Sequence, residues 1–332
     1  MQYIITVNEN SKKYLIEELK IHKEKIIIEK WLDKKLVLIS SSLNFVDLYS
    51  LIVSFPIVTI RHIFEIKDIL TIDELNTLEI RLKKLYETVP LEDSITIQVR
   101  TISKKIESHY LKEIIMDNIR RLGYILNNQA EYTVTTLCID EVIYIGYNES
   151  YLNLSIYSGG EIHYKKNKDV ISRAEFKLLE LFELVDFNLK DGFKALDLGA
   201  APGGWSKVLL HKNMKVYAVD PGKVNELLLE NSNFVFYNES AQQFLSRNKK
   251  IKFDFIVNDM KMDVRKSLSI MMAFNKMAVP STIFILTVKL PKKGKQQLVS
   301  NIMQSIQNCY NIIFARQLFH NRAEITVVFK LK

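Results

Sequence analysis

The chain has 332 residues, 48% of them hydrophobic and 25% charged, which is apolar material for about two ordinary domains and too much for a disordered chain. Its formal net charge of +8 favours a polyanionic partner without choosing among RNA, DNA and an anionic membrane. No apolar run approaches the ~18 residues of a membrane-crossing helix. The opening MQYIITVNENSKKYLIEEL lacks the basic-then-apolar pattern of a signal peptide, so the cytoplasm is the expected compartment, with no membrane partner. Cys138 and Cys309 each lie among apolar neighbours and read as buried thiols. The six histidines have no ligand spacing, so no metal is expected.

In chain order, YIITV (3–7) reads as a strand and SKKYLIEELKI as an amphipathic helix with Leu15, Ile16 and Leu19 on one side. IIIEKW and KLVLIS follow as strands and NFVDLYSLIVS as a helix, with a further strand falling loosely within 55–66. This β-α-β-β-α-β succession suggests a ferredoxin-like unit over 1–65. A second unit is expected over 66–160. In it TIDELNTLEIRLKKLYETV is a helix, SITIQVRTI a strand, YLKEIIMDNIRRLGYIL a helix stopped at Gly123, and YTVTTLCID and VIYIGYN two more strands. SGGEIHYKKNKDV (158–170) joins glycines to a charge run and reads as a linker, leaving a third unit over 161–332. That unit opens with ISRAEFKLLELFELV, where Ser172 and Glu175 have capping-box spacing.

From residue 194 the texture changes. KALDL, MKVYAVD, NFVFYN, FDFIVND and TIFILTVKL are short, nearly all-apolar runs alternating with helical stretches, as for parallel strands covered on both faces. NIIFARQL and EITVVFKL end the chain as an antiparallel edge pair. The expected class is α/β, preceded by an α+β region.

The first of these strands runs into LDLGAAPGGWS (196–206). The turn is neither the G-x-G-x-x-G of a dinucleotide site nor the G-x-x-x-x-G-K-[ST] of a P-loop. It is a strand-to-helix turn of small residues, with Pro202 suited to the first helical turn and free N–H groups open to an anionic group. Asp220 closes the next strand, placed to accept hydrogen bonds from ribose hydroxyls. A ribose and an amino-acid carboxylate without phosphate describe S-adenosylmethionine. The plain alternative is a structural turn with a solvated aspartate.

LDLGAAPGGWS also resembles the cofactor loop of the FtsJ-like ribose 2′-O-methyltransferases. Within that group, SRAEFKL, NDMKMD, TVKLPKKGK and ARQLFHNRAEITVVF resemble the RlmM family of bacterial 23S rRNA cytidine 2′-O-methyltransferases, covering most of 170–332. The resemblance implies a Rossmann-like methyltransferase domain, with a mostly parallel seven-stranded sheet and an antiparallel edge. It also implies an RNA-binding THUMP-like module over 66–160. Asp197, Gly199, Ala200, Ala201, Pro202, Gly203, Gly204, Trp205, Asp220 and Asp259 would then bind S-adenosylmethionine. Ser240 stands where the family carries an acid at the adenine, with Glu239 beside it as a substitute.

Four residues match the family's catalytic order. Lys289 would be the general base for the 2′-hydroxyl, Asp259 and Lys177 would tune charge and position the acceptor, and Glu324 would orient the lysines. Taken singly, each also reads as a strand end or a solvated residue, and for Lys177 the sequence alone favours a surface lysine pairing with Glu180. A neutral lysine base needs its pKa lowered by burial or cationic neighbours.

Lys292, Lys293 and Lys295 cluster beside Lys289 as RNA contacts, and Arg120, Arg121, Lys104 and Lys105 are candidates for a second contact surface; the alternative for both is a solvated basic face. A nicotinamide dehydrogenase is disfavoured by the missing glycine fingerprint. An exocyclic-amine methyltransferase is disfavoured because NDMK is not Asn/Asp-Pro-Pro-aromatic, and a cytosine C5 enzyme because Cys309 falls in an apparent helix, QSIQNCY. A non-catalytic RNA-binding or ribosome-assembly protein remains the alternative to the enzyme.

Overall fold

A computed structural model describes residues 1–54, 57–91, 93–165 and 169–332. The chain divides into two compact units, Met1–Ile162 and His163–Lys332.

The first unit opens with β1 (Gln2–Thr6), α1 (Lys12–Lys20), β2 (Ile26–Trp31), β3 (Leu36–Ser41), α2 (Phe45–Ser54) and β4 (His62–Glu65). The strands form an antiparallel sheet in the order β2-β3-β1-β4, which fits the ferredoxin-like expectation. Central β1 is apolar on both faces. Tyr3 and Ile5 pack with Leu15, Leu19 and Leu48 of the helices, while Ile4 meets Leu137 and Tyr144 of a second sheet.

That sheet comprises β5 (Asp68–Thr71), β6 (Ser94–Ile102), β7 (Ile125–Leu126), β8 (Tyr132–Ile139) and β9 (Val142–Glu149) in the order β5-β9-β8-β6-β7, with α3 (Leu78–Leu82) and α4 (Ser108–Arg121) between strands. Short β5 and β7 were not legible as strands. The helix expected over 71–89 is broken: only α3 is α-helical, between two 3-10 segments, although its apolar spacing still buries Leu78, Leu82 and Leu85.

The expected linker departs from its reading. Residues 166–168 of it lie outside the described residues. Gly159 and Gly160 are buried, and a Cβ on Gly160 would sit 2.9 Å from the Arg61 carbonyl oxygen. Glu161 pairs with Lys35 at 3.0 Å and Arg100 at 3.2 Å, so 158–162 is built into the first unit.

The second unit runs α5 (Ala174–Leu184), β10 (Lys194–Leu198), α6 (Gly204–His211), β11 (Lys215–Val219), α7 (Glu226–Leu229), β12 (Phe234–Tyr237), α8 (Ala241–Arg247) and β13 (Phe253–Asn258). It continues with α9 (Val264–Ala273), β14 (Ala278–Lys289), α10 (Lys295–Gln307), β15 (Tyr310–Arg316) and β16 (Glu324–Leu331). The sheet order is β12-β11-β10-β13-β14-β16-β15. β10 through β14 are parallel, and β16 inserts antiparallel between β14 and β15. This is the expected Rossmann-like, mostly parallel seven-stranded sheet with an antiparallel edge. Chain direction across the sheet reverses at β10, so the crevice at the carboxyl ends of β10 and β13 is the expected ligand site. Below it, Ala195, Val216, Phe255, Ile285 and Val328 pack against Leu178 and Leu181 of α5 and Trp205 and Leu209 of α6.

Three local expectations are corrected. The Glu175 carboxylate accepts the Ser172 N–H at 3.1 Å, but the Ser172 hydroxyl makes no capping bond, so only half a capping box forms. A Cβ on Gly204 would lie 2.2 Å from that hydroxyl, which is held against the start of α6. Pro202 precedes the helix, because left-handed Gly203 is its cap and α6 begins at Gly204. Cys138 is buried but Cys309 is exposed: α10 ends at Gln307, before its core-facing stripe of Val299, Ile302, Met303 and Ile306 extends that far. Among the described residues, no helix is long and apolar enough to cross a membrane.

Candidate active site

The glycine turn connects β10 to α6. Gly199 has φ +78°, and a Cβ there would meet Met260 Cγ at 2.5 Å, so the loop after β13 closes directly over it. Gly203 has φ +114°, and its Cβ would strike Leu228 Cδ1 at 2.2 Å. Both positions combine a backbone conformation L-residues avoid with no room for a side chain.

Beneath the turn, Asp197 is 1% exposed and accepts the Ser206 hydroxyl at 2.7 Å. Burial, reinforced by the charges of Asp259 and Asp220, pushes its carboxyl up to about 7 against the Ser206 bond. Asp220 accepts the Ala201 N–H at 3.1 Å on one oxygen and the Gly222 N–H at 2.6 Å on the other. Each carboxylate oxygen has a further lone pair, so the same group can still receive two ribose hydroxyls. The side-chain-free cradle and this donor set fit S-adenosylmethionine.

Asn238 was not anticipated from sequence. Its amide donates to the carbonyls of Asp220, Pro221 and Gly222 at 3.0–3.3 Å and holds the Asp220 loop; an asparagine just past a strand was the only signal. Three expected cofactor residues also make structural bonds. Trp205 is buried in the core and donates its indole N–H to the Ala174 carbonyl at 2.9 Å. Ser240 caps α8, accepting the Gln243 N–H at 3.3 Å. Glu239 accepts from Arg247 at 2.9 Å.

The four residues expected to do chemistry converge. Asp259 follows β13, Lys289 ends β14, and Glu324 begins β16, in register beside Lys289. Lys177 comes from α5. Lys177 Nζ donates to Asp259 at 3.1 and 3.3 Å and to Glu324 at 2.5 Å. Lys289 Nζ donates to Asp259 at 3.1 Å and to Glu324 at 3.3 Å. The result is a closed ring of two ammonium and two carboxylate groups, net neutral. The Lys177 side chain is 12% exposed and that of Lys289 31%, so Lys289 is the more open member.

Burial works against the Lys289 ammonium, but the charges and hydrogen bonds of Asp259 and Glu324 outweigh it and hold the group above the ordinary lysine value. A pKa lowered by the surroundings is therefore not what the ring provides: Lys289 rests protonated. The turn presenting Asp259 is locked by Asn258, whose side-chain carbonyl accepts the Met260 N–H at 3.0 Å and the Ser267 hydroxyl at 3.1 Å.

The basic candidates separate. Lys292, Lys293 and Lys295 lie in and just after the loop that follows Lys289, without an ion pair among the described residues. Lys104 and Lys105 precede α4 and Arg120 and Arg121 end it, so the two pairs stand at opposite ends of a 14-residue helix about 21 Å long. Lys105 also pairs with Glu141, Arg120 with Asp117 and Arg121 with Glu79. No group of three or more metal-ligating side chains occurs among the described residues.

Residues 170–326 match the FtsJ-like methyltransferase family. The chain is 30% identical over 198 residues to the Ribosomal RNA large subunit methyltransferase M of Idiomarina loihiensis and 34% identical over 200 residues to that of Escherichia coli O139:H28, each match covering 55% of this chain and 52% of the relative. The chain thus spans about half the length of the curated relatives it matches. Among solved structures, TrmN from Thermus thermophilus aligns over 100% of this chain and 99% of its own at 13% identity, with a TM-score of 0.38.

Proposed function

We propose that the chain, through its FtsJ-like domain, is an S-adenosylmethionine-dependent RNA ribose 2′-O-methyltransferase acting in the cytoplasm on a cytidine of 23S rRNA. The closed Lys177–Asp259–Lys289–Glu324 ring at the carboxyl edge of the sheet carries this reading. The names of the matched relatives support ribosomal RNA as the acceptor. The backbone of 199–204 with Asp197 and Asp220 would hold S-adenosylmethionine. Bound there, it supplies an electrophilic methyl group and a positive charge.

The chain's own task is alignment and proton management. An alcohol is a poor nucleophile until its proton has somewhere to go. Lys289 Nζ, the more open lysine of the ring, first gives its resting proton to bulk water and then takes the proton of the hydroxyl. Losing its resting proton takes the ring from net neutral to −1, a change favoured by a cationic neighbour. Asp259 and Glu324 then stabilise the ammonium that re-forms, and Lys177 keeps both carboxylates aimed at it. The region over 66–160, read as THUMP-like, would contribute further RNA contacts.

Mapping ribose methylation across ribosomal RNA in cells with and without the gene tests this. A single lost 2′-O-methyl on a 23S cytidine is expected. No lost mark in any RNA would favour an RNA-binding or assembly protein that keeps the fold without turnover.

A further inference from the structure

Beside the ring lies a cavity of about 550 Å³, within the ~300–1,000 Å³ typical of small-ligand sites. Lys177 and Glu324 form part of its wall and Pro202 of the glycine turn another part, so it opens where ring and cofactor loop meet. The rest of the lining has a chemistry of its own. Tyr164, Phe176 and His320 form a ring cluster with centroids 5.2–5.5 Å apart. Arg173 and Arg322 are exposed, line the cavity and have no ion pair among the described residues, whereas the charge of Lys177 is cancelled inside the ring. The Ser172 hydroxyl, buried and without a hydrogen-bond partner in the structure, lines the same space.

Two walls of this cavity are fastened together by one buried carboxylate. Glu180 of α5 is 4% exposed and accepts the Phe319 N–H at 2.6 Å, the His320 N–H at 2.9 Å and His320 Nδ1 at 2.8 Å. The loop between β15 and β16, which carries His320 and Arg322, is thereby tied to the helix that carries Lys177 and starts beside Arg173. With Nδ1 committed to Glu180, His320 keeps Nε2 as its other hydrogen-bonding atom.

We propose that this cavity seats the methyl-acceptor nucleotide of single-stranded or everted RNA, its base against the Tyr164–His320 rings and its flanking phosphates on Arg322 and Arg173. The proposal rests on the ribose-methylation reading above. Aromatic rings and unpaired guanidinium groups are the pair of features that hold unstacked nucleotides, one by stacking and the other by charge. A base held there would carry its ribose toward the ring. Glu180 is a positioning residue, acting through His320 and the loop.

The test uses the full chain, labelled S-adenosylmethionine and total rRNA purified from a strain lacking the gene. The R173A/R322A variant should raise the KM for this RNA about tenfold or more. It should also reduce the slope of log KM against log salt, by roughly 0.7 for each phosphate no longer neutralised. The Kd for S-adenosylmethionine should stay within twofold. Tyr164→Leu should raise the KM several-fold and Tyr164→Phe restore it, since the ring and not the hydroxyl is required. Glu180→Gln should raise the KM while leaving the salt slope unchanged. Should the double variant not fold, R322E at an exposed position reads the same charge. An unchanged RNA KM in R322E and Tyr164→Leu, with active wild type, overturns the proposal. A wild-type protein that transfers no methyl to this RNA overturns the ribose-methylation reading itself, so the two failures are distinguishable.

Discussion

Glu18 in the first unit and Glu324 in the second are both glutamates withdrawn from water, and their surroundings give them opposite roles. Glu18 is 4% exposed and accepts the Val58 and Thr59 N–H groups at 2.9 and 3.3 Å and the Thr59 hydroxyl at 2.5 Å, with no ion pair among the described residues. Burial outweighs those bonds and pushes its carboxyl up to about 8, so at neutral pH it is mostly a neutral brace for the 57–60 turn. Glu324 sits between two ammonium groups whose charges are balanced by itself and Asp259. A buried carboxyl with only dipoles around it gives up its charge; one inside a balanced ring can keep it and pass the imbalance to a neighbour. Only the second arrangement can accommodate a proton arriving from a substrate.

The largest way to break this contrast is at Lys289. Lys289→Ala should lower methyl transfer by about 10²–10⁴-fold, the usual worth of a positioned acid–base group. Lys289→Arg sharpens the test, because a guanidinium keeps the ring balanced but cannot become neutral. It should be as inactive as the alanine variant while melting at nearly the wild-type temperature. Active arginine variants would assign Lys289 a purely electrostatic role.

Next is Gly199→Ala, where φ of +78° and contact with Met260 coincide. We expect a loss of about 1–3 kcal/mol in denaturant unfolding, and an S-adenosylmethionine Kd raised about tenfold in calorimetry, ~1.4 kcal/mol.

A third experiment addresses Glu18. Its folded pKa lies above its unfolded value, so between about pH 4.3 and 8 the unfolded chain binds fewer protons, and stability falls as pH rises. Below that window the contribution is fully present, and above it lost. Glu18→Gln should flatten this slope, by on the order of 3–4 kcal/mol between pH 5 and 8, whatever its effect on absolute stability. The smallest effect is expected at the first unit's charged residues. R120A/R121A should raise the RNA KM by only about twofold, because both arginines are exposed charges screened by salt. Substituting Lys292, Lys293 and Lys295 together should raise it several-fold.

What was legible in the sequence follows from how local each feature is. The glycine turn and Asp220 could be read because the constraint lies within one strand-turn-helix-strand segment. The parallel strands could be read because burial on both faces makes each nearly all apolar. The ring could not be derived from spacing: Lys177 and Glu324 are 147 positions apart, and each alone looks like a solvated helix residue or a strand end. Only the family resemblance joined them. It carried no account of charge balance, so the raised Lys289 pKa was missed. Asn238 and Glu180 were missed for the same reason, since their partners lie outside any local pattern. Trp205 and Ser240 also make structural bonds that the motif does not name, because packing decides which way a side chain turns.

If the ring directs a methyl group to a ribose oxygen, the modified nucleotide resists alkali. The most direct measurement is alkaline hydrolysis of rRNA labelled by the purified protein with labelled S-adenosylmethionine. A 2′-O-methyl blocks cleavage at its own phosphodiester, so label is expected in alkali-resistant dinucleotides for the wild type and none for Lys289→Ala. Label released in mononucleotides carrying a methylated base would contradict it.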